Sequence, residues 1–244
     1  MQETSKKIAL VTGANKGIGF GIAHQLAKRG VTVLLGARDT ARGEQAAAKL
    51  RGEALDAHFV RLDLVRPETI QAAAASIAAQ FRRLDILVNN AGINDPADGP
   101  PSTADLNSVK RAMETNFLGT LAVTQAMLPL LRRAAAARIV NLSSGLASLE
   151  KNGDPAWDFG SFKLIGYNAS KAALNMLTVQ LAYELRDTGI KVNSVSPGFV
   201  ATDMNGHRGT LTVEEGAAGP VRLALLPANG PSGRFFSGDG FYPW

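Results

Sequence analysis

Short apolar segments alternate with helix-forming segments along almost the whole chain. The apolar segments cover residues 8–11, 31–35, 57–62, 86–88, 138–142 and 191–195, and the helical segments between them cover residues 17–29, 40–50, 67–81, 103–133 and 165–187. The apolar segments are continuous runs rather than in-and-out alternations, which is typical of parallel strands that are buried on both faces. The pattern therefore predicts an α/β fold with a doubly wound parallel sheet of about seven strands and helices on both faces.

The composition fits a single domain spanning residues 1–244. The chain is 45% hydrophobic and has no cysteine, so it can bury a substantial core, and disulfides, thiolate catalysis and zinc–thiolate sites are excluded. We predict no metal site. No run approaches the roughly 18 apolar residues of a membrane span, and the polar segment 1–7 leads straight into a strand, so we expect no signal peptide and a cytoplasmic location. The net charge is +5, but the lysines and arginines are scattered and never form a run longer than two residues. We therefore expect no nucleic-acid or membrane partner.

A glycine-rich turn joins the first predicted strand to the first predicted helix. It reads Thr12-Gly13-Ala14-Asn15-Lys16-Gly17-Ile18-Gly19. Glycines let the backbone turn sharply and approach a pyrophosphate closely, and the helix that follows supplies unpaired N–H groups and the positive end of its dipole. The spacing is G-x-x-x-G-x-G rather than G-x-G-x-x-G, and such a turn can also be only a tight connection. Its place in the first βα unit of a Rossmann-type domain favours binding of a dinucleotide cofactor.

The end of the second predicted strand bears on which dinucleotide is bound. NAD-binding sheets usually carry an acidic residue there to hold the ribose 2′-hydroxyl, whereas this chain has Ala37 at about that place, followed by Arg38. Arginine pairs with phosphate through its planar guanidinium, and Lys16 adds a second cation, so we predict NADP(H). Arg42, one helical turn beyond Arg38, is placed to assist. The alternative is that both cations are merely solvated and that Asp39 binds the ribose.

A tyrosine and a lysine lie four residues apart near the start of the last predicted helix. Tyr167 and Lys171 therefore share one helix face. A phenol has a pKa of about 10 and is a poor acid–base group at neutral pH, but a neighbouring ammonium favours the phenolate and lowers that pKa. The pair alone is a weak signal, because any amphipathic helix can contain it by chance.

Further motifs occur in order around this pair: Asn89-Asn90-Ala91-Gly92, Asn116, Ser143-Ser144 and Pro197-Gly198. Together with the glycine-rich turn and Tyr167-x-x-x-Lys171, they resemble the short-chain dehydrogenase/reductase family in its classical form, over nearly the whole chain. Residues 14–16, residues 37–39 and the terminal Pro243-Trp244 resemble the NADPH-dependent carbonyl reductase branch of that family. The resemblance implies an oxidoreductase that transfers a hydride between NADPH and a ketone or aldehyde, or in reverse from a secondary alcohol.

The resemblance also implies a role for each matching residue. Tyr167 would be the general acid or base at the carbonyl oxygen, and Lys171 would lower its pKa and bind the nicotinamide ribose. Ser144 would orient the carbonyl oxygen, with Ser143 an equally reactive hydroxyl next to it. Asn116 would hold a water that connects Lys171 to solvent. The cofactor-binding residues would be Gly13, Asn15, Lys16, Gly17, Ile18, Gly19, Arg38, Asp63, Leu64, Asn90, Ala91, Gly92, Tyr167, Lys171, Pro197, Gly198, Val200 and Thr202.

Three loops, at residues 93–97, 145–161 and 199–220, are expected to form the substrate pocket. Tyr167 follows Ser144 by 23 positions, a longer gap than in compact members of the family, so residues 146–161 resemble an insertion. Its aromatic residues Trp157 and Phe159, with Phe162 just after it, either line the pocket or pack the loop down. Residues 204–220 have glycines at their start and middle (Gly206, Gly209 and Gly216) and are expected to form a mobile lid, in which His207 is exposed.

Two other functions fit the same scaffold. Reduction of a C=C or C=N bond cannot be separated from carbonyl reduction by motif. A non-catalytic NADP(H) sensor usually lacks the tyrosine or the lysine, and both Tyr167 and Lys171 are present. We therefore expect a small-molecule carbonyl or alcohol as the partner, while the motifs do not distinguish a monomer from a homo-oligomer.

Overall fold

An eight-stranded sheet runs through the protein, for which a computed structural model describes residues 6–244. Its strands are β1 (Ile8–Thr12), β2 (Thr32–Ala37), β3 (Ala57–Arg61), β4 (Ile86–Asn89), β5 (Arg138–Leu142), β6 (Lys191–Ser196), β7 (Arg234–Ser237) and β8 (Gly240–Phe241). They are arranged in the order β3-β2-β1-β4-β5-β6-β7-β8. Strands β1 to β7 pair in parallel, and the two-residue β8 pairs antiparallel with β7. The strand order reverses between β1 and β4, so the carboxyl ends of these strands border the crevice in which such sheets bind ligands.

Eight helices cover the two faces of the described part of the sheet. They are α1 (Gly17–Ala27), α2 (Thr40–Gly52), α3 (Pro67–Phe81), α4 (Leu106–Met113), α5 (Thr120–Leu131), α6 (Leu149–Asn152), α7 (Ile165–Glu184) and α8 (Val213–Ala224). Alternate residues of β1 enter different cores: Ala9 and Val11 pack with α1, α2 and α8, whereas Ile8 and Leu10 pack with α3, α5 and α7. The predicted doubly wound Rossmann fold is confirmed, with β8 as an addition to the seven parallel strands.

The helix predicted over residues 103–133 is wrong in its start, and it is not α-helical throughout. The Asp105 carboxylate accepts hydrogen bonds from the backbone N–H groups of Asn107 and Ser108 at 3.2 and 3.0 Å, so α4 begins at Leu106. A π-helical turn, Glu114–Gly119, then separates α4 from α5. Such turns are rare and are frequent at functional sites, and this one carries Asn116.

Two segments that the sequence predicts to be loops contain helix. Residues 146–161 include α6, and residues 204–220 include the first two turns of α8, whose Ala217 and Val221 are buried. A capping box between Thr212 and Glu215 starts α8. The mobile lid predicted over residues 204–220 is therefore wrong for residues 213–220, which are a packed helix.

Residues 1–5, which make up most of the polar segment used to argue against a signal peptide, lie outside the described residues. Within residues 6–244, no helix combines the length and the apolar character needed to cross a membrane.

Candidate active site

Tyr167 and Lys171 lie in the first two turns of α7, at the carboxyl ends of β4 and β5. Lys171 Nζ is 5.8 Å from the centroid of the Tyr167 ring, as the shared helix face predicts. Lys171 is only 4% exposed, and its Nζ donates a hydrogen bond to the Leu142 carbonyl oxygen at 2.7 Å. Burial lowers the pKa of Lys171 from 10.5 to about 8.

The pKa of Tyr167 moves in the direction opposite to the sequence-based expectation. Burial raises it above its usual value, and the nearby Ser144 hydroxyl only partly opposes that effect. Among the residues of this chain, desolvation of the phenolate thus outweighs the stabilisation expected from the Lys171 ammonium. The Tyr167 hydroxyl is therefore protonated at neutral pH.

The two neighbouring serines after β5 point in different directions. Ser144 lies against the Tyr167 hydroxyl, and its Oγ also accepts a hydrogen bond from the Leu146 N–H at 3.2 Å. Ser143 is buried, and its Oγ donates to the Lys171 carbonyl oxygen at 3.5 Å. Only Ser144 is placed to share a substrate oxygen with Tyr167, which favours Ser144 over Ser143.

Asn116 lies at the buried centre of the π-helical turn. Its Oδ1 accepts a hydrogen bond from the Ile93 N–H at 2.8 Å, and its Nδ2 donates to the Ile93 carbonyl at 2.9 Å and to Ser170 Oγ at 3.0 Å. A Cβ added to Gly92 would lie 3.1 Å from Asn116 Oδ1 and 3.2 Å from Lys171 Nζ, so these groups meet around Gly92. The side chain of Asn116 clamps the loop after β4 to α7, and the water relay stays a prediction.

The glycine-rich turn folds tightly at the carboxyl end of β1. Gly13 and Gly17 have φ values of +65° and +55°, which favour glycine. A Cβ added to Gly19 would collide with Asn90 Nδ2 and with the Gly13 carbonyl oxygen. Helix α1 has no side-chain cap at Lys16 and no acidic residue in its first turn, so its first N–H groups can donate hydrogen bonds to an anion. The backbone here fits a pyrophosphate cradle.

Asn90 braces that cradle from the neighbouring strand. Its Nδ2 donates to the Thr12 and Gly13 carbonyl oxygens at 2.8 and 3.3 Å. The Thr12 hydroxyl in turn accepts hydrogen bonds from the Asn90 and Ala91 N–H groups, both at 3.0 Å. Sequence analysis missed the role of Thr12, although its position directly before Gly13 in the motif was a signal. The predicted roles of Asn90 and Ala91 in binding the cofactor stay predictions.

The end of β2 has the arrangement that the sequence suggests. Ala37 is buried, and Arg38 is exposed directly after it. The Asp39 carboxylate caps α2 by accepting a hydrogen bond from the Arg42 N–H at 2.9 Å, and Arg42 Nε lies 3.9 Å from it. Asp39 and Arg42 are thus engaged with each other, whereas Arg38 faces solvent.

Lys16 has a partner that sequence analysis missed. Its Nζ lies 2.6 Å from Asp203 Oδ2, and His207 Nε2 lies 2.9 Å from the other oxygen of the same carboxylate. All three side chains are exposed, as expected for His207. The two residues of the ion pair are 187 positions apart, so no sequence pattern signals it. It links the glycine-rich turn to the segment after β6.

The other predicted residues after β6 follow the same path beside the glycine-rich turn. Pro197 and Gly198 come directly after the strand, and Val200 is buried where it bridges to Leu211. Thr202 lies close to the turn, since a Cβ added to Gly17 would be 3.7 Å from its methyl group.

The remaining predicted cofactor residues use their side chains for packing and turns. Asp63 lies 3.8 Å from Arg66 Nε in the turn after β3, and Leu64 is buried in the core under α3 and α5. Ile18 packs against the core under α1, and Asn15 is half-buried in the glycine-rich turn. Direct contacts of these four residues with a cofactor stay predictions.

Aromatic side chains connect the insertion to the segment after β6. The ring centroid of Phe159 lies 5.8 Å from that of Trp157, 5.9 Å from that of Phe162 and 6.2 Å from that of Phe199. Of the two alternatives for these aromatic residues, the contacts favour the one in which they pack the insertion against the rest of the protein. Phe159 and Phe162 still keep more than a third of their surface exposed.

The C-terminal residues hold the insertion from the other side. The Trp244 carbonyl oxygen accepts hydrogen bonds from the Glu150 N–H at 3.0 Å and from Ser148 Oγ at 3.1 Å. The Tyr242 hydroxyl and the Trp157 ring both lie beside Gly145, and the Trp244 ring stacks on Phe235 at 5.5 Å. A Cβ added to Gly145, the residue after Ser144, would lie 3.2 Å from the Tyr242 hydroxyl. The C-terminal residues therefore pack beside Ser144, which the sequence did not predict.

Comparison with known proteins assigns the family. A family model described as short chain dehydrogenase matches residues 7–210. The chain belongs to the short-chain dehydrogenase family of oxidoreductases.

Among its relatives are reductases of the predicted branch. The chain is 34% identical to the NADPH carbonyl reductase 1 of Mus musculus, with 99% of each chain covered. It is 36% identical to a (+)-neomenthol dehydrogenase of Arabidopsis thaliana, with 97% of this chain and 98% of the relative covered. The NADPH-bound carbonyl reductase from chicken fatty liver superimposes with a TM-score of 0.86 at 31% identity, covering 98% of this chain and 99% of that one. The resemblance to carbonyl reductases is confirmed.

Proposed function

We propose that this chain reduces ketones or aldehydes with NADPH, and runs in reverse on secondary alcohols, with Tyr167 as the general acid or base. One observation carries the proposal: the Ser144 hydroxyl lies close enough to the Tyr167 hydroxyl to lower its pKa, and the buried Lys171 lies beside this pair. Two hydroxyls that converge in this way can bind one carbonyl oxygen between them.

The protonation states suit reduction at neutral pH. Because the pKa of Tyr167 lies above its usual value, the hydroxyl holds the proton that the developing alkoxide needs. The pKa of Lys171 is about 8, so its ammonium is still mostly charged at neutral pH and stabilises the tyrosinate left behind. Ser144 holds the carbonyl oxygen in position while the proton moves.

The cofactor would lie along the carboxyl ends of β1, β2 and β4. NADPH would supply the hydride. The open N-terminus of α1 and the tight turn at Gly13 and Gly19 would hold its pyrophosphate. Gly92, Asn116 and Lys171 meet where the nicotinamide ribose is expected.

Three features support NADP(H) over NAD(H). No carboxylate stands at Ala37, the Asp39 carboxylate is engaged in capping α2, and the Arg38 guanidinium is exposed directly after β2. An exposed guanidinium at this place can pair with a 2′-phosphate. Lys16 adds to this charge only after it leaves Asp203.

The test is consumption of NADPH with a panel of ketones, aldehydes and enones, run on the wild type, Tyr167→Phe and Tyr183→Phe. Tyr183 is an exposed tyrosine of the same helix and is the matched control. We expect Tyr167→Phe to lose about a hundredfold or more in kcat, as loss of a general acid predicts, and Tyr183→Phe to keep wild-type turnover. Wild-type turnover in Tyr167→Phe would contradict the proposal.

The alternatives give different products. A saturated ketone formed from an enone would favour C=C reduction, whereas an allylic alcohol supports carbonyl reduction. Binding of NADPH without turnover of any substrate in the panel would favour a sensor.

A further inference from the structure

Helix α7 begins without a cap of its own. Leu164 stands at the N-cap position, makes no side-chain hydrogen bond there, and no acidic residue follows in the first turn. The first N–H groups of a helix have no partner within the helix and need an outside acceptor. Here that acceptor is Asp98, in the loop after β4: its carboxylate accepts from the Gly166 N–H at 3.0 Å and from the Tyr167 N–H at 2.8 Å.

The approach of Asp98 to the helix is close. A Cβ added to Gly166 would lie 3.2 and 3.3 Å from the two carboxylate oxygens and 2.9 Å from Val109 Cα. The Gly99 carbonyl oxygen accepts from the Ile165 N–H at 3.0 Å, and the Gly99 N–H donates to Asp98 Oδ1 at 2.9 Å. The loop thus supplies acceptors to three consecutive N–H groups at the start of α7.

The same loop is fixed at two further points. Both backbone groups of Ile93 are bound by the Asn116 side chain. The Asp95 carboxylate pairs with Arg111 Nε at 2.6 Å, a contact that holds the pKa of Asp95 below its usual value. Residues 93–99 therefore form a braced connection from Asn116 to the first turn of α7, where Tyr167 lies.

We propose that Asp98 is the positioning residue for Tyr167: it fixes the first turn of α7 so that the Tyr167 hydroxyl stays against Ser144. The inference rests on the proposed function. One of the two N–H groups that Asp98 binds belongs to Tyr167 itself, so loss of the cap frees the backbone of the proton donor. The glycine-rich turn and Arg38, which carry the predicted phosphate contacts, lie on other elements, so we expect binding of NADPH to change little when this contact is lost.

The test compares Asp98→Ala and Asp98→Asn with Asp105→Ala. Asp105 is the matched control, because it also caps a helix with two N–H bonds but at the start of α4. We expect Asp98→Ala to lower kcat by roughly tenfold to a hundredfold, the loss that small misplacements of catalytic groups cause. The KM for NADPH should stay within about twofold. Asp98→Asn keeps one acceptor oxygen and should lose less, and Asp105→Ala should keep the kcat of the wild type.

A second readout does not depend on turnover. Hydrogen–deuterium exchange of the amides at Gly166 and Tyr167, measured without cofactor, should be faster in Asp98→Ala than in the wild type and Asp105→Ala. A kcat in Asp98→Ala equal to that of the wild type would overturn the proposal, as would a loss of activity due wholly to a raised KM for NADPH. If Asp98→Ala does not fold, Asp98→Asn takes its place. A kcat equal to that of the wild type, or unchanged amide exchange at Gly166 and Tyr167, then overturns the proposal. If the wild-type protein turns over no substrate, the proposed function is refuted instead. The exchange measurement then tests only whether Asp98 caps helix α7.

Discussion

Methionine in place of Lys171 should remove most of the rise in stability that the wild type gains above pH 8. Lys171 is buried, and its pKa falls from 10.5 to about 8 on folding. Between these pH values the unfolded chain holds a proton that the folded chain lacks, so the free energy of unfolding rises with pH, by about 1.4 kcal/mol for each pH unit. From about pH 7 to about pH 9.5 the wild type should therefore gain about 2 kcal/mol that Lys171→Met does not.

The assay is urea unfolding followed by tryptophan fluorescence at both pH values. All other groups titrate alike in the two proteins, so the difference between their unfolding free energies isolates Lys171. Lys110→Met, a substitution of an exposed lysine on α4, is the control and should follow the wild type at both pH values. If the difference between the wild type and Lys171→Met is the same at both pH values, burial does not lower the pKa of Lys171 and the reasoning is wrong.

Three further predictions concern the glycine-rich turn and the cofactor. Gly19→Ala should destabilise the fold by about 1–3 kcal/mol, because the added Cβ would collide with the turn that Asn90 braces. Gly52→Ala, where the added Cβ meets open space, is the control and should be neutral or stabilising. Equal melting temperatures for the two variants would contradict this reasoning. Arg38→Asp should lower kcat/KM for NADPH much more than for NADH, and unchanged values for both would refute the 2′-phosphate assignment. Asp203→Asn should tighten binding of NADPH but not of NADH, because it releases Lys16 from a competing carboxylate; fluorescence titration that shows no change, or equal tightening for both, would contradict the competition.

Much of the site could be predicted because its parts are local in the chain. The glycine-rich turn, the residues after β4 and β5 and the pair on α7 each follow a strand or begin a helix, and parallel strands bring their carboxyl ends to one edge of the sheet. The π-helical turn was not predicted, because the apolar residues keep a helical periodicity through it. The one residue that a π-turn adds to an α-helix leaves no separate pattern in the sequence. Residues 213–220 were predicted to be part of a lid because of the glycines in this segment, of which Gly216 and Gly219 lie in helix α8 itself.

The sequence by itself determined the doubly wound fold, the family and the positions of Ser144, Tyr167 and Lys171, since apolar runs and motif spacing are written in neighbouring residues. Tertiary structure decided which serine faces Tyr167, that Lys16 pairs with Asp203, and that Asp98 caps α7. The last two contacts join residues 187 and 69 positions apart, and no local pattern encodes such distances. Tertiary structure also decided the direction in which the pKa of Tyr167 shifts. This shift depends on how much water the folded chain excludes from the phenol, and only packing determines that exclusion.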